Sequence, residues 1–353
     1  MINVAIIGVG NCASSLVQGK YYYLYNPDTN GLINSHIGKY EIKHINFVAA
    51  FDIDKRKVGR DLSEAIFSQP NNSVIFNSVP KLNVYVNMGH VLDGVADHMG
   101  DVIDVDVESK PADVAQILVE ARVDVLINYL PVGSNRASQF YAEEALKAKV
   151  AFINAIPEFI CSDSNWDTKF REAGVACAGD DIKSQLGATI LHRMLAELIT
   201  DRGCVIENMY QLNIGGNSDF NNMVDNSRLK SKRKSKTMSV LSSFNVDFNP
   251  AMVKIGPSEY IPHLGDRKIC YININGKQFG NLPFEVELKL SIEDSPNSAG
   301  IMFDIIRLVK IAIDKGLGGN IIEVSAYGFK SPLVQISDKI AWERVANFIK
   351  SVD

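Results

Sequence analysis

The chain has 353 residues, of which 46% are hydrophobic and 22% are charged, and it carries a formal net charge of −5. This composition is typical of a globular protein, and the length predicts about two domains. The mild acidity argues against a general nucleic-acid binder, and no run approaches the roughly 18 apolar residues that a membrane span needs. The five cysteines show no paired spacing and no secretory leader is visible, which predicts reduced thiols and a cytoplasmic location.

The first half of the chain alternates apolar runs with helix-forming segments. The runs Ile2–Ile7 and 46–51 are nearly continuous, as expected for strands that are buried on both faces. Further helices are predicted at 14–25, 54–67, 112–121, 134–148 and 163–173, and further strands at 74–76, 82–86, 123–129, 150–155 and 175–178. Alternation of this kind predicts an α/β architecture, in which helices cover a parallel sheet.

The pattern changes after a long amphipathic helix predicted at 183–202. Segments that favour antiparallel strands follow, several with period-two alternation of polar and apolar residues. They lie at 205–214, 251–255, 268–275 and 284–293. Further helices are predicted at 225–243, 296–315 and from Asp338 onward, and a short strand at 321–324. The sequence Asp294-Ser295-Pro296 is typical of a capped helix start with proline in the first turn.

A glycine-rich motif follows the first predicted strand directly. The segment Gly8-Val9-Gly10-Asn11-Cys12-Ala13 has the G-x-G-x-x-A spacing and opens the next predicted helix. Glycines at this turn let the backbone approach a pyrophosphate, and the free N–H groups of the helix N-terminus bind anions. In this strand–turn–helix context the motif predicts a dinucleotide site, with contacts from Gly8, Gly10, Asn11, Cys12 and Ala13.

Asp52 ends the second apolar strand, where an acid can accept hydrogen bonds from the adenosine ribose and would repel a 2′-phosphate. This favours NAD over NADP. Asp52 lies about twice as far from the glycines as the usual 20 residues, which an insertion around 21–44 would explain. Asp61 on the following helix could share the role. The alternative is that Asp52 and Asp54 only cap that helix.

Two later predicted strands end in polar segments, Asn128-Tyr129-Leu130-Pro131 and Asn154-Ala155-Ile156-Pro157. Ligands in open parallel sheets bind at the edge formed by the carboxyl ends of the strands. A ligand at this edge would therefore contact both segments, although proline would also terminate a strand in the absence of any ligand.

A basic run at 228–236 contains six lysines and arginines among nine residues. Lys232 and Lys236 are about one helical turn apart and would project from one face, as suits a phosphate dianion. A lysine beside another cation has a lowered pKa and can move protons near neutral pH. The alternative is a solvated surface face. Lys268, at the start of a strand, and Lys330, before a proline turn, favour an anion site.

Six motifs together resemble the myo-inositol-1-phosphate synthase family, in its short bacterial and archaeal form. They are Gly8-Val-Gly-Asn-Cys-Ala-Ser-Ser15, Tyr129-Leu-Pro-Val-Gly133, Gly179-Asp-Asp-Ile-Lys-Ser184, Leu212-Asn-Ile-Gly-Gly-Asn217, Ser231-Lys-Arg-Lys-Ser-Lys236 and Glu293-Asp-Ser-Pro-Asn-Ser-Ala-Gly300. The motifs are spread over most of the chain, and the last four are much more specific than the glycine loop.

The resemblance implies the conversion of D-glucose 6-phosphate to 1D-myo-inositol 3-phosphate with a tightly held NAD. In this reaction C5 is oxidised, C6 is deprotonated to an enolate and attacks the C1 aldehyde, and the hydride then returns, so the net reaction is an isomerisation. Ammonium groups can stabilise the negative charge of the enolate and of the aldol alkoxide, and no metal motif is visible in the sequence.

The resemblance also implies the site residues. The catalytic set comprises Lys232, Lys236, Lys268, Lys330, Asp180 and Asp294. Among these, Lys232 and Lys330 are expected to move protons, while Lys236 and Lys268 bind phosphate and oxyanions. The two acids are expected to orient lysines or the nicotinamide. Further NAD contacts are implied for Asp61, Ala121, Tyr129, Tyr141, Ser184, Asp219 and Lys232.

The family fold is a Rossmann doubly wound parallel sheet with an inserted α+β domain that is built on an antiparallel sheet. It assigns residues 1–184 and 296–353 to the NAD-binding domain and residues 185–295 to a catalytic and oligomerisation domain. The resemblance implies a homotetramer, with neither nucleic acid nor membrane as a partner. It leaves a divalent or monovalent cation open as a second cofactor.

Three other functions stay open on the residues alone. Another NAD-dependent sugar or amino-acid dehydrogenase with a Rossmann domain would accumulate NADH, whereas a synthase would not. A non-catalytic NAD-binding regulator would keep the glycine loop but would not need four lysines at separated sites. A nucleic-acid binder would need aromatic residues among its basic ones, and the run at 228–236 has none.

Overall fold

The structure is a computed structural model, and it describes residues 1–223 and 250–350. Lys232, Lys236 and the helix predicted at 225–243 lie outside the described residues. A membrane-crossing helix is not found in the described ranges, because none of their helices combines the necessary length and hydropathy.

The described elements follow one another in this order along the chain. The strands are β1 (Ile2–Ile7), β2 (Ile45–Asp52), β3 (Val86–Met88), β4 (Val125–Asn128), β5 (Ala151–Asn154), β6 (Ala176–Gly179), β7 (Val205–Gly215), β8 (Val253–Tyr260), β9 (Arg267–Gln278), β10 (Leu282–Glu293) and β11 (Gly319–Asn320). The helices are α1 (Asn11–Tyr25), α2 (Leu62–Ala65), α3 (Val114–Glu120), α4 (Asn135–Ala148), α5 (Ser164–Glu172), α6 (Ala188–Asp201), α7 (Ser218–Asn222), α8 (Asp294–Asp314), α9 (Ile322–Gly328) and α10 (Asp338–Lys350).

The first sheet has seven strands in the order β11-β6-β5-β4-β1-β2-β3. Every pairing in it is parallel. Strand order reverses between β1 and β4, which is the topological switch point of a Rossmann fold. The predicted doubly wound parallel sheet is confirmed, and its switch point lies directly beside the glycine loop that follows β1.

Apolar clusters cover both faces of this sheet. One cluster joins α1, α8 and α9 to the inward residues of the strands, and the other joins α3, α4 and α5 to the opposite face. Helix α1 crosses α8 closely at Gly19, where a Cβ atom would lie 2.9 Å from the ring of Phe303. The C-terminal helices therefore pack on the same core as the N-terminal strands.

The second sheet has four strands in the order β10-β9-β7-β8, and α6 packs against one of its faces. Strand β9 is antiparallel to both β10 and β7, as predicted. Strand β8 is parallel to β7, so the prediction of a purely antiparallel sheet was wrong and the sheet is mixed. The connection from Gly215 to Val253 is long enough for the crossover that a parallel pair requires.

Three local predictions were wrong. Within 54–67 only α2 is an α-helix. The side chains of Asp52 and Asp54 accept hydrogen bonds from the backbone N–H groups of residues one or two positions after each of them, and such bonds favour turns. Segment 74–76 is not a strand, since its backbone bonds to the side chain of Gln18. Residues 322–328 form α9, and the short strand β11 precedes it.

Candidate active site

A cavity opens at the carboxyl edge of the first sheet, between that sheet and the start of α8. Many of the residues that the sequence assigned to a site line this cavity. They are Gly8, Gly10, Asn11, Cys12, Asp52, Tyr129, Tyr141, Ser184, Asp219, Lys268, Asp294 and Lys330. Residues that lie far apart in the chain are thus brought to one place, as expected for a ligand site at a topological switch point.

The glycine loop has the backbone that a dinucleotide site requires. Gly8 has a φ of +84°, and a Cβ atom there would lie 2.7 Å from the carbonyl oxygen of Tyr129. Gly10 precedes α1 as its N-cap and makes no side-chain cap, so the first N–H groups of the helix stay available to an anion. A Cβ atom on Gly10 would meet no protein atom within 4 Å, which leaves that space to a ligand.

Asp52 ties the glycine loop to the end of β2. Its Oδ2 atom accepts a hydrogen bond from the Val9 N–H at 2.7 Å, and its Oδ1 atom accepts from the N–H groups of Ile53 and Asp54. Lys57 Nζ lies 3.9 Å from Oδ2. Each carboxylate oxygen can accept more than one hydrogen bond, so Asp52 can still receive ribose hydroxyls at the place where the sequence predicted them.

Two hydroxyl groups support the fit of NAD to this cavity. Tyr129 Oη and Ser298 Oγ are buried, line the cavity and have no hydrogen-bond partner among the described residues. Buried polar groups in proteins are normally bonded, so each of these hydroxyls can serve a polar ligand. Tyr141 is also buried beside them along the cavity wall, and burial raises the pKa of its phenol far above the ordinary value.

Two lysine–carboxylate pairs also line the cavity. Lys330 Nζ lies 2.8 Å from Asp181 Oδ1, and Lys268 Nζ lies 2.8 Å from Asp294 Oδ1. All four side chains are mostly buried. Burial works to lower the pKa of Lys268, but the charge and hydrogen bond of Asp294 outweigh it, so the pKa is raised and the ammonium form persists.

The acid that contacts Lys330 is Asp181, whereas the resemblance implied its neighbour Asp180 as a site acid. Asp180 is completely buried and does not line the cavity. It accepts hydrogen bonds from the Asn154 side chain, from the Ser162 side chain and from three consecutive backbone N–H groups, at 160–162. Burial outweighs these bonds and raises the pKa of Asp180 to about 6. Asp180 therefore holds the loop after β5 in place.

Three other predicted NAD contacts lie away from the cavity lining. Asp61 is buried, caps α2 through the Ser63 N–H, and also accepts from the Leu82 N–H. Ala121 forms the C-cap of α3. Ala13 is buried in the core under α1. In a short helix such as α2, an acid at the N-cap position satisfies free backbone donors, which explains the place of Asp61.

Asp266 lies behind the cavity lining and bonds to residues that form it, although no sequence pattern assigned it a role. This buried carboxylate accepts hydrogen bonds from Asn11 at 3.2 Å, Asn217 at 3.1 Å, and both the N–H and the hydroxyl of Ser295. Burial and the charge of Asp294 raise its pKa to about 6. Asp266 therefore joins the glycine loop to the segments that carry Lys268 and Asp294. Its place two residues before Lys268 was the available signal.

A second, small pocket adjoins the two lysine pairs. Lys268 and Lys330 line it together with Ser184, Gly187 and Thr189. Gly187 is the N-cap of the 14-residue helix α6 and makes no side-chain cap, so the first N–H groups of α6 stay available to an anion in the pocket that both lysines line. The sequence pattern does not reveal this anion site, because it predicts a helix start at 183, ahead of the true N-terminus.

Within residues 1–223 and 250–350, no group of three or more His, Cys, Asp or Glu side chains is arranged to hold a metal ion. Cys12 lies in the glycine loop, 4.0 Å from the Ser295 hydroxyl. Burial and the nearby acids raise the pKa of its thiol to about 12, so the thiol stays neutral and is a poor nucleophile.

Known proteins of one family resemble this chain over nearly its whole length. The family model for myo-inositol-1-phosphate synthase matches residues 187–295. The inositol-3-phosphate synthase of Mycobacterium tuberculosis (strain CDC 1551 / Oshkosh) is 50% identical over 351 residues, which cover 99% of this chain and 95% of that protein. The inositol-3-phosphate synthase of Corynebacterium glutamicum is 47% identical over 359 residues and covers 99% and 98% of the two chains.

A solved structure gives the same result at the level of the fold. The crystal structure of a myo-inositol-1-phosphate synthase-related protein from Thermotoga maritima has a TM-score of 0.84 and 25% identity, and the match covers 99% of this chain and 98% of the other. Sequence identity near one half over nearly the whole length, together with the shared fold, identifies the chain as a member of the myo-inositol-1-phosphate synthase family.

Proposed function

We propose that the protein converts D-glucose 6-phosphate to 1D-myo-inositol 3-phosphate, with NAD as the cofactor. The observation that carries the proposal is the single cavity that the glycine loop shares with the pairs Lys330–Asp181 and Lys268–Asp294. A dehydrogenase needs a nucleotide loop and one proton-transferring group. An aldol cyclisation also needs cations at two developing oxyanions, which separated lysines can provide.

When bound, NAD supplies the hydride acceptor and donor for C5 of the sugar. We infer that Gly8, Gly10 and the N-terminus of α1 hold its pyrophosphate, and that Asp52 accepts the adenosine ribose hydroxyls. The unpartnered hydroxyls of Tyr129 and Ser298 would bond polar groups of its nicotinamide half, which lies on the β4 side of the switch point in Rossmann folds.

Lys330 is the proton-transferring residue that the geometry of the described residues favours most. Asp181 holds its ammonium group at 2.8 Å, and both side chains line the cavity. In its neutral amine form Lys330 can take the proton of the substrate hydroxyl as the hydride leaves and the ketone forms. The resulting ammonium group can stabilise the enolate oxygen and return the proton in the reverse step. The sequence assigns the same role to Lys232, which lies outside the described residues.

We assign the phosphate of the substrate to the region of the small pocket at the N-terminus of α6. Lys268 lines this pocket with Lys330, Thr189 and Ser184, and the uncapped helix adds backbone N–H donors. A helix N-terminus combined with lysine side chains is a common phosphate site in proteins. We assign Lys268 to phosphate and oxyanion binding, with Lys236 as a second cation that the sequence alone predicts.

Several further features belong to the proposal. We assign 1–184 and 296–353 to an NAD-binding domain and 185–295 to a catalytic and oligomerisation domain. A homotetramer is supported by large apolar side chains that are exposed in the range 185–295, such as Met194, Leu198 and Phe279. A cytoplasmic location and a divalent or monovalent cation as second cofactor stay predictions.

A direct test is incubation of the protein with glucose 6-phosphate and a substoichiometric amount of NAD, followed by measurement of phosphate released by periodate. We expect many moles of inositol phosphate per mole of NAD. The main alternative is an NAD-dependent sugar dehydrogenase, and NADH accumulation equal to the substrate consumed would establish it instead.

A further inference from the structure

Lys183 is a fully buried lysine that the proposed mechanism does not use. It lies between Asp181 and Ser184, both of which line the cavity, but its own ammonium group points into the protein, where 1% of the side chain is exposed. Lys183 Nζ donates to the carbonyl oxygen of Ala326 at 2.6 Å and to Asp338 Oδ1 at 2.7 Å. A buried ammonium group is costly unless it is paired, so this arrangement needs an explanation.

Asp338 binds a second buried cation at the same time. Arg193 Nε lies 3.1 Å from Asp338 Oδ2, and the Arg193 guanidinium also donates to the carbonyl oxygen of Ile336. Arg193 belongs to α6, which packs on the second sheet, whereas Asp338 is the first residue of α10. One carboxylate therefore connects the active-site segment at 181–184, the helix whose N-terminus forms the phosphate pocket, and the C-terminal helix.

The contacts of Lys183 lie directly behind Lys330. The segment at 180–183 pairs with 328–331: Lys183 N–H donates to the Gly328 carbonyl at 2.8 Å, and Lys330 N–H donates to the Asp181 carbonyl at 2.7 Å. Ala326 lies in the last turn of α9, two residues before this pairing begins. The side chain of Lys183 thus fixes the end of the helix from which the Lys330 segment departs.

Asp338 is the acid that contacts both Lys183 and Arg193. Burial lowers the pKa of Lys183 to about 8, the charge of Asp338 opposes this effect, and the charges of Arg193 and Lys330 reinforce it. Without Asp338, the three cations would repel one another, with Asp181 and the partly buried Glu197 as the neighbouring acids. The segment would then have reason to rearrange, because two of these cations are buried and could not be solvated in place.

We propose that Asp338 is a positioning residue for catalysis: through Lys183 and Arg193, the C-terminal helix holds the Lys330–Asp181 pair and the start of α6 in register. The inference rests on the proposed synthase function for its kinetic readout only. Misplacement of a catalytic group by about 1 Å can cost on the order of a hundredfold in rate, so a residue outside the cavity can control turnover.

The test compares Asp338→Asn with Glu343→Gln, an exposed acid on the same helix. For Asp338→Asn we expect kcat to be reduced about ten- to a hundredfold and the dissociation constant for NAD to stay within about twofold of the wild type. Asp338→Glu, which keeps the carboxylate, should recover most of the activity. Glu343→Gln should behave as the wild type. A folded Asp338→Asn variant with unchanged kcat would overturn the proposal, and so would an equal loss in Asp338→Asn and Asp338→Glu.

A second readout does not depend on the reaction. The rate at which an amine reagent labels Lys330, followed by mass spectrometry, should rise in Asp338→Asn and in Lys183→Met, while labelling of the surface residue Lys277 stays constant. An inactive wild type would contradict the synthase function, yet the labelling would still test Asp338. Unchanged labelling of Lys330 in these variants would overturn the positioning role. Failure of both variants to fold would overturn it as well, because the cluster would then be needed only for folding.

Discussion

The ammonium group of Lys330 lies 2.8 Å from the carboxylate of Asp181, although 149 residues separate the two in the chain. The contact exists because the segments at 180–183 and 328–331 pair at the edge of the first sheet, beyond β6. A carboxylate at this distance fixes the direction of a long, flexible side chain. This pair and its neighbours in the cavity determine what substitutions at the site should do.

Removal of the Lys330 side chain should abolish turnover without loss of the cofactor. In Lys330→Ala we expect kcat to fall by about a hundredfold or more, since general acid–base groups contribute that much, while NAD still binds. Asp181→Asn should reduce kcat less, because the ammonium group remains but loses its ionic partner. Steady-state kinetics and NAD titration measure both. Retained activity in Lys330→Ala would remove this residue from the mechanism.

Lys268 should contribute mainly to binding of the substrate phosphate. Lys268→Met is expected to raise KM for glucose 6-phosphate about tenfold or more, consistent with loss of a charge-assisted contact. Lys277→Met is a matched control, since Lys277 lies on the same strand and pairs with Glu207 at the surface at 2.8 Å. Equal KM values for the two variants would place the phosphate elsewhere.

Gly10→Ala separates cofactor binding from folding. Gly10 has an ordinary extended backbone with a φ of −92°, and a Cβ atom there would meet no protein atom within 4 Å. The thermal unfolding midpoint of the free protein should therefore stay the same. A methyl group in the path of the pyrophosphate should weaken NAD binding by about tenfold or more. Wild-type affinity for NAD in this variant would contradict the assignment of the glycine loop.

The buried carboxyl of Asp180 should make stability depend on pH. Its pKa is raised from 3.8 to about 6 by burial, so the folded state binds more protons than the unfolded state between these values. Its contribution to the free energy of unfolding is therefore greatest below about pH 4 and declines as the pH rises through 6. The stability difference between the wild type and Asp180→Asn should shrink over that interval in denaturant titrations. A constant difference would mean that the carboxyl titrates normally.

The sequence predicts the five central strands of the first sheet because they are largely apolar runs, whereas the strand predicted at 82–86 shares only Val86 with the edge strand β3. β1 is predicted with its observed bounds, and the glycine loop follows it as required. The motif does not tell whether Asp180 or Asp181 faces the cavity. The two residues are adjacent in a loop, and the direction of each side chain depends on how the loop pairs with a distant segment. The direction of β8 likewise depends on the path of the chain between β7 and β8, which local patterns do not encode.

The resemblance to a family supplied what local patterns could not. Its motifs imply that Lys268, Asp294 and Lys330 share one site, and all three line the cavity. Periodicity alone gives no reason for lysines from β9 and from the loop after α9 to meet. Asp266 and Asp338 were missed because their roles depend on packing between distant segments, and an acid near a strand or helix end is common for ordinary reasons of capping and turn formation.

The central claim is that one bound cofactor removes the hydride from C5 and returns it to the same carbon. The most direct measurement uses glucose 6-phosphate that carries deuterium at C5, together with a catalytic amount of NAD, and determines the isotope content of the product by mass spectrometry. We expect inositol phosphate that retains the deuterium, with no net NADH. A product without deuterium, or NADH formed in proportion to the sugar consumed, would contradict this account.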